Sequence, residues 1–235
     1  YYGAKDEENV ARAVANRVAL TACLALICTG AAMLLLPFLI KMLGTPQDVW
    51  NEVHSYLSIY LGGMTGLLFY NMGAGILRAV GDSRRPLYFL IFSAFMNIVL
   101  DLFFVVVCHW GVAGAAAATV LTQFMAAFLV FFVLSRETGA FRVQWKKIRI
   151  HVNILKRILT IGLPSAFQMM VTSFSNVFIQ SYINAFCSTA MAGWSAYSKL
   201  DKLCLLPIQS IALAVPPFVG QNLGAPQEQR LLAWR

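Results

Sequence analysis

Six long apolar stretches, separated by short polar segments, organise the chain. The first runs from about Val14 to Ile40 and closes near Pro37 and Lys41, before the polar segment 41–52. The second covers about His54 to Leu77 and ends in the charged turn "RAVGDSRRP" (78–86), punctuated by Gly81 and Pro86. The third is Leu87 to Cys108 and the fourth Val112 to Leu134, followed by "SRETGAFRVQWKKIRIHVN" (135–153). The fifth spans about Ile154 to Ala185. The sixth spans about Met191 to Val219, is interrupted by Lys199, Asp201 and Lys202, and gives way to "GQNLGAPQEQR" (220–230). Runs of about 22 residues and more exceed strands, and exceed the 10–14 residues of apolar core helices. The pattern predicts an all-α, polytopic transmembrane helical bundle.

Composition agrees. The chain is 59% hydrophobic and 12% charged, against about 45–50% and about 25% for a soluble domain. A water-soluble fold lacks its polar surface here, and disorder is excluded because disordered chains are apolar-poor and charge-rich. At about 20 residues per span plus loops, 235 residues hold about six helices. Cys23, Cys28, Cys108, Cys187 and Cys204 lie in or beside apolar runs without a CxxC pair, and read as buried small hydrophobes. The polar start, Tyr1 to Arg17, is no cleavable signal peptide, and without an initiator Met the expectation is an excerpt of something longer.

The net charge of +8 reads as topology. Residues 1–17, 78–86, 135–157 and 220–235 together hold fifteen of the eighteen Lys and Arg, whereas the opposite side holds only Lys41. Cationic loops stay cytoplasmic, so both ends and the basic linker are expected there, in a plasma (inner) membrane. A nucleic-acid patch at "KKIRIHVNILKR" is the rejected alternative. An internal repeat also shows: "YYGAKDEE" (1–8) and "NLGAPQEQ" (222–229) match Gly3 with Gly224, Ala4 with Ala225 and Glu7 with Glu228. Transporters are often built from duplicated halves.

Residues 77–123 carry "RAVGDSRRP", then "NIVLD" (97–101), then "GVAGAAAAT" (111–119). In that order they resemble the signature region of the multidrug and toxic compound extrusion (MATE) family. "IGLPS" (161–165) is similar to the start of that family's second half, and "GQNLGA" (220–225) to its second GA landmark. "YSKLDK" (197–202) looks closest to the DinF-like branch. The resemblance implies twelve helices in two six-helix lobes, of which this chain carries helices three to eight. Residues 1–134 would then be the later four helices of the N-terminal lobe, 135–153 the cytoplasmic linker, and 154–235 the first two helices of the C-terminal lobe.

Asp101 is the sharpest chemical feature. A carboxylate within a span costs about 2.5–3.5 kcal/mol. The fifteen Leu, Ile, Val and Phe residues between Leu87 and Val107 offset it with about −4.5 to −9 kcal/mol. Such a charge should face the bundle interior or water. Asn97 lies one turn away on the same face, and a hairpin turning at 109–111 sets Thr119 at the depth of Asp101. Gly111, Gly114 and Ala115–Ala118 would let the two helices approach closely. The resemblance implies that Asn97, Asp101 and Thr119 form part of a site for H+ or Na+, the coupling ion, with no other cofactor. The competing reading is a neutralised Asp101 bonded to Asn97 without a transport role.

On the sixth stretch, Lys199 and Lys202 share one face while Asp201 shares another with Tyr197. They line a substrate cavity or form an ion pair that locks helices. Gln168, Asn176 and Gln180 belong to a polar stripe with Ser173 and Asn184, turned toward a cavity or bonded between helices. Pro37, Pro164, Pro207, Pro216 and Pro217 kink helices or mark their ends. In the 78–86 turn, Asp82 near a helix start complements its dipole. No P-loop, nucleophile–His–Asp set or paired-carboxylate hydrolase site is seen, so no enzyme is expected. The resemblance implies a cation-coupled antiporter, monomeric at full length, exporting small organic and often cationic substrates by alternating access. A lipid-linked precursor flippase of related fold, and a membrane receptor or assembly subunit, are the alternatives.

Overall fold

The computed structural model describes residues 1–42, 49–137, 139, 141–143, 150–184 and 188–225. Cys187, Lys146, Lys147, Arg149, Arg230 and the repeat's Glu228 lie outside the described residues, as does the side chain of Gln180. Every regular element among the described residues is helical: α1 (Glu7–Met42), α2 (Trp50–Gly62), α3 (Met64–Ala79), α4 (Arg84–Asp101), α5 (Gly111–Arg136), α6 (Val152–Asn184) and α7 (Ser188–Gly224). A π-helical turn, Leu102–Val107, prolongs α4. Five of these helices are long and apolar enough to cross a membrane. The second apolar stretch is divided into two shorter helices, α2 and α3, interrupted at Gly63.

Local chemistry explains the ends. Asp6 caps α1: its Oδ1 accepts the Asn9 backbone N–H at 3.1 Å and its Oδ2 the Asn9 side-chain N–H at 2.7 Å. Those bonds hold the Asp6 carboxyl below its ordinary pKa. Glu7 and Glu8 sit at the positive end of the same helix and Lys41 at its negative end. Asp82 does the same for α4, its Oδ1 accepting the N–H groups of Arg84 at 3.2 Å and Arg85 at 3.1 Å. The prolines are not helix ends. Pro37, Pro164, Pro207, Pro216 and Pro217 all lie inside helices, so α1 passes Pro37 and reaches Met42.

The chain divides into two compact units, residues 1–150 and 151–235. In the first, α5 is the helix on which α2, α3 and α4 all pack, and α1 lies against α2 and α3. Glycines bring the backbones together. A Cβ at Gly63 would lie 2.2 Å from Val120 Cγ2, at Gly66 3.1 Å from the Phe124 backbone nitrogen, and at Gly73 2.3 Å from Val130 Cγ1. Only a residue without a Cβ permits that approach. Gly114 brings α5 to Phe104 in the same way, at 3.0 Å. Gly111 has nothing within 4 Å; its φ of +55° makes it a turn residue beside His109, whose φ is +57°. The close approach expected of both glycines therefore belongs to Gly114 alone.

The core of this unit gathers where α1 begins and α3 and α5 end: Val14, Val18, Ile76, Leu77, Val130 and Leu134. Val143 joins it from the linker, buried, with its N–H donating to the Leu134 carbonyl at 3.2 Å. Arg85 bridges Asp82, at 3.1 Å, and Glu137. The first part of the basic linker thus folds back on the bundle. Outside this core the helices are apolar toward their surroundings, α4 through Leu87, Ile91, Phe95 and Ile98, as a lipid-solvated surface requires. In the second unit α6 and α7 pack on one another, and their large apolar side chains, such as Ile161, Met169 and Ile208, are exposed.

Close packing at glycine has a direct test. Gly66→Ala sets a Cβ against backbone that cannot rotate away, and is expected to cost about 1–3 kcal/mol. Gly30→Ala meets open space and should be neutral or slightly stabilising. Unfolding midpoints of the two variants in detergent check the contrast, and equal midpoints would contradict the packing.

Candidate cation and substrate sites

Asn97 and Asp101 lie one turn apart near the end of α4, both half-buried. Asn97 Nδ2 and Asp101 Oδ1 are fully buried atoms without a hydrogen-bond partner. Orphaned polar atoms are rare in folded proteins, because each forfeits solvation and gains nothing in return. A third such atom is Gln123 Oε1, on α5. Thr119, also half-buried, donates its hydroxyl proton to the Ala115 carbonyl of its own helix at 3.0 Å, which leaves the lone pairs of its oxygen as acceptors.

Two contacts fix how α4 and α5 register. Ser93 Oγ donates to the Thr122 carbonyl at 2.8 Å, a buried bond, and Phe104 meets Gly114. Interpolating between them sets Thr119 nearer the level of Asn97 than of Asp101, about one turn from the depth expected by halving the hairpin. The π-helical turn supplies about one residue of that difference. Cys108 N–H reaches back five residues to the Phe103 carbonyl at 2.9 Å, so the end of α4 spends more residues per unit rise than α5; Trp110 N–H, in the turn, bonds the Phe104 carbonyl six residues back at 3.0 Å. Phe104 and Trp110 stack at 5.0 Å over this end of the hairpin.

Gln123 is the residue that the motif reading passes over, although it ends the signature stretch 77–123. A signal for it existed: it stands four residues beyond Thr119, on the same helical face.

The second group is not assembled in the same way. Tyr197, Lys199 and Lys202 are exposed and Asp201 is half-buried, all on α7 within its membrane-length span. Lys199 and Lys202 share one side of the helix, and Asp201 and Tyr197 the other; the Tyr197 ring packs on Trp194 at 5.3 Å. The ion pairs among the described residues are Arg12–Glu8, Arg85–Asp82 and Arg85–Glu137, so the helix-locking pair expected at 199–202 is not formed there. Gln168 and Asn176 are exposed on α6, and Gln180 lies in the same helix with its side chain outside the described residues.

Apolar membrane-length helices that carry a half-buried Asp101, Asn97 and Gln123, each with one buried unpartnered atom, suit a polytopic membrane protein. The MatE family model matches residues 1–103 and 164–232. The chain belongs to the MATE family of transporters. It is 33% identical over 208 residues to the probable multidrug resistance protein YpnP of Bacillus subtilis, covering 86% of this chain and 45% of that protein. It is 26% identical over 201 residues to a FAD transporter of Shewanella oneidensis, covering 82% of this chain and 43% of the other. Among solved structures it superposes with a TM-score of 0.86 on a transporter of the MOP superfamily from Pyrococcus furiosus, described as having a binding pocket of reverse polarity. There it is 27% identical and covers 97% of this chain and 51% of that one. The chain thus spans about half the length of the relatives it matches.

The Ser93 bond yields a further expectation. Ser93→Ala removes the hydroxyl that ties α4 to the Thr122 carbonyl and should lower stability by about 1 kcal/mol. Thermal unfolding in detergent measures this. An unchanged midpoint would mean that the bond does not hold the hairpin register.

Proposed function

We propose that this chain contributes the coupling site and part of the substrate path of a cation-coupled antiporter that exports small organic molecules by alternating access. The observation that carries the reading is the pair of orphaned atoms, Asn97 Nδ2 and Asp101 Oδ1, inside a membrane-length helix. A half-buried carboxylate with one orphaned oxygen inside a span is a place where a cation is gained and lost. Binding H+ or Na+ neutralises Asp101, with Asn97 and Thr119 completing the site, and favours the conformation that releases substrate outward. Release of the cation inward resets the cycle. Two conformations respond to the ion only through such a difference in affinity.

Residues 1–134 belong in this reading to an N-terminal lobe and 154–235 to the opening of a C-terminal lobe, joined by a cytoplasmic linker at 135–153 in a monomer. The fifteen-to-one distribution of Lys and Arg supports cytoplasmic ends and an inner-membrane location. Tyr197, Lys199, Asp201, Gln168, Asn176 and Gln180 serve as the substrate-facing set, and no enzymatic step or organic cofactor enters.

Lys199 and Lys202 favour a second reading, in which the substrate carries an anionic group or is a lipid-linked precursor. Two lysines on a membrane-length helix with no ion pair among the described residues suit an anion. The flavin nucleotide named for the Shewanella relative is such an anionic substrate.

In proteoliposomes, Asp101→Asn is expected to reduce gradient-driven efflux at least tenfold while substrate binding persists; wild-type coupled efflux in that variant would refute the coupling role. Competition by an organic cation against an anionic flavin nucleotide separates the readings. Competition by the anion alone, lost in a Lys199→Ala, Lys202→Ala double variant, would establish the second.

A further inference from the structure

We infer that Arg17 and Arg78 form a binding site for the phosphate of an anionic phospholipid headgroup, set in the groove between α1 and α3 on the side of the bundle that holds the 78–86 turn. This site is separate from Asp101 and does not depend on its coupling role.

The acids near this end of the bundle are engaged elsewhere: Glu8 pairs with Arg12, and Asp82 and Glu137 both pair with Arg85. Arg17, exposed, and Arg78, half-buried, have no ion-pair partner among the described residues. Both stand at the membrane boundary. From Val18 to Ile40, α1 has no charged side chain, about 34 Å of helix against about 30 Å of hydrocarbon. Arg17 is therefore the last charge before the apolar core and lies at headgroup level. Arg78 occupies the last turn of α3, where the second apolar stretch ends.

Gly75 brings the two arginines together. A Cβ there would lie 3.6 Å from Arg17 Nη1 and would meet no other helix within 4 Å. Gly66 and Gly73, on the same helix, are closed by α5, so Gly75 alone leaves open space, directly beside the guanidinium. Arg78 stands three residues further on the same side of α3, its Cβ about 5–6 Å from that position, and its long side chain covers the remaining gap. Two guanidiniums brought this close repel unless an anion lies between them. A phosphate suits them, because each guanidinium plane offers paired N–H groups to its oxygens. An anionic lipid supplies that phosphate at this depth. Leu24, two turns beyond Arg17 on the same face of α1, is exposed, and an acyl chain below the headgroup covers it. A soluble phosphate gains nothing from that apolar surface.

The test titrates the full-length protein in detergent with phosphatidylglycerol, with phosphatidylcholine and glycerol 3-phosphate as controls, and reads the unfolding temperature. Phosphatidylglycerol is expected to raise it, and the two controls to leave it unchanged. Replacing both arginines, Arg17→Gln with Arg78→Gln, should raise the half-saturating phosphatidylglycerol about thirtyfold, roughly 2 kcal/mol of affinity. Lys5→Gln with Arg142→Gln removes the same charge from exposed positions before α1 and after α5, and should change that value by less than about twofold. Equal weakening in the two double variants would mean that the net charge of this side attracts the lipid, and would overturn the inference. Equal stabilisation by glycerol 3-phosphate would assign the groove to a soluble phosphate and overturn the lipid. A wild type indifferent to phosphatidylglycerol would overturn the site altogether. If the Arg17, Arg78 double variant does not fold, Arg17→Gln and Arg78→Gln decide singly, each with an expected weakening of about fivefold.

Discussion

The close approach of backbones to α5 is the constraint on which the first unit depends. In a bilayer, burying leucine against leucine gains little over leucine against lipid, so helices associate through contact distance and through the hydrogen bonds that short distance permits. Gly63, Gly66 and Gly73 set α2 and α3 against α5 at Val120, Phe124 and Val130, and Gly114 sets α5 against the end of α4. The Ser93–Thr122 bond is available because the backbones are already close. On the same two helices, α4 and α5, three polar atoms are buried without a partner.

The membrane-spanning class was legible because it rests on sums over long windows, where single residues hardly matter. Helix bounds followed within a few residues for the third, fourth and fifth stretches. The first and sixth were read short at polar flanks that the structure keeps helical, from Glu7 and to Gly224. The break at Gly63 is hidden in sequence, because Gly62 and Gly63 sit in an uninterrupted apolar run and the close neighbour of Gly63 is Val120, far away in sequence. The five prolines allow either a kink or a helix end in sequence, and their place within helices removes only the second.

At the candidate site the position of Asn97 one turn before Asp101 on the same helix is legible from spacing alone. The level of Thr119 was not, since it depends on a π-helical turn that no periodicity of Leu, Phe and Val announces. Gln123 went unread for a related reason: a glutamine among alanines looks like a helix-to-helix bond, and only an accounting of hydrogen bonds shows that it makes none. The linker shows the same limit. Its charge was plain, but the burial of Val143 and the Arg85–Glu137 pair depend on the folded end of the bundle.

The π-helical turn Leu102–Val107 has a bearing on how this helix tolerates length change. A ring closed five residues back encloses one residue more than an α-helical ring. Deleting a single residue there would let the turn relax to ordinary α-helix, with Asn97 and Asp101 still facing as they do. Deleting one between Ser93 and Asp101 would swing every later side chain by about 100°. The chain therefore carries, immediately beyond its buried carboxylate, a place where evolutionary insertions and deletions are absorbed without turning that carboxylate away.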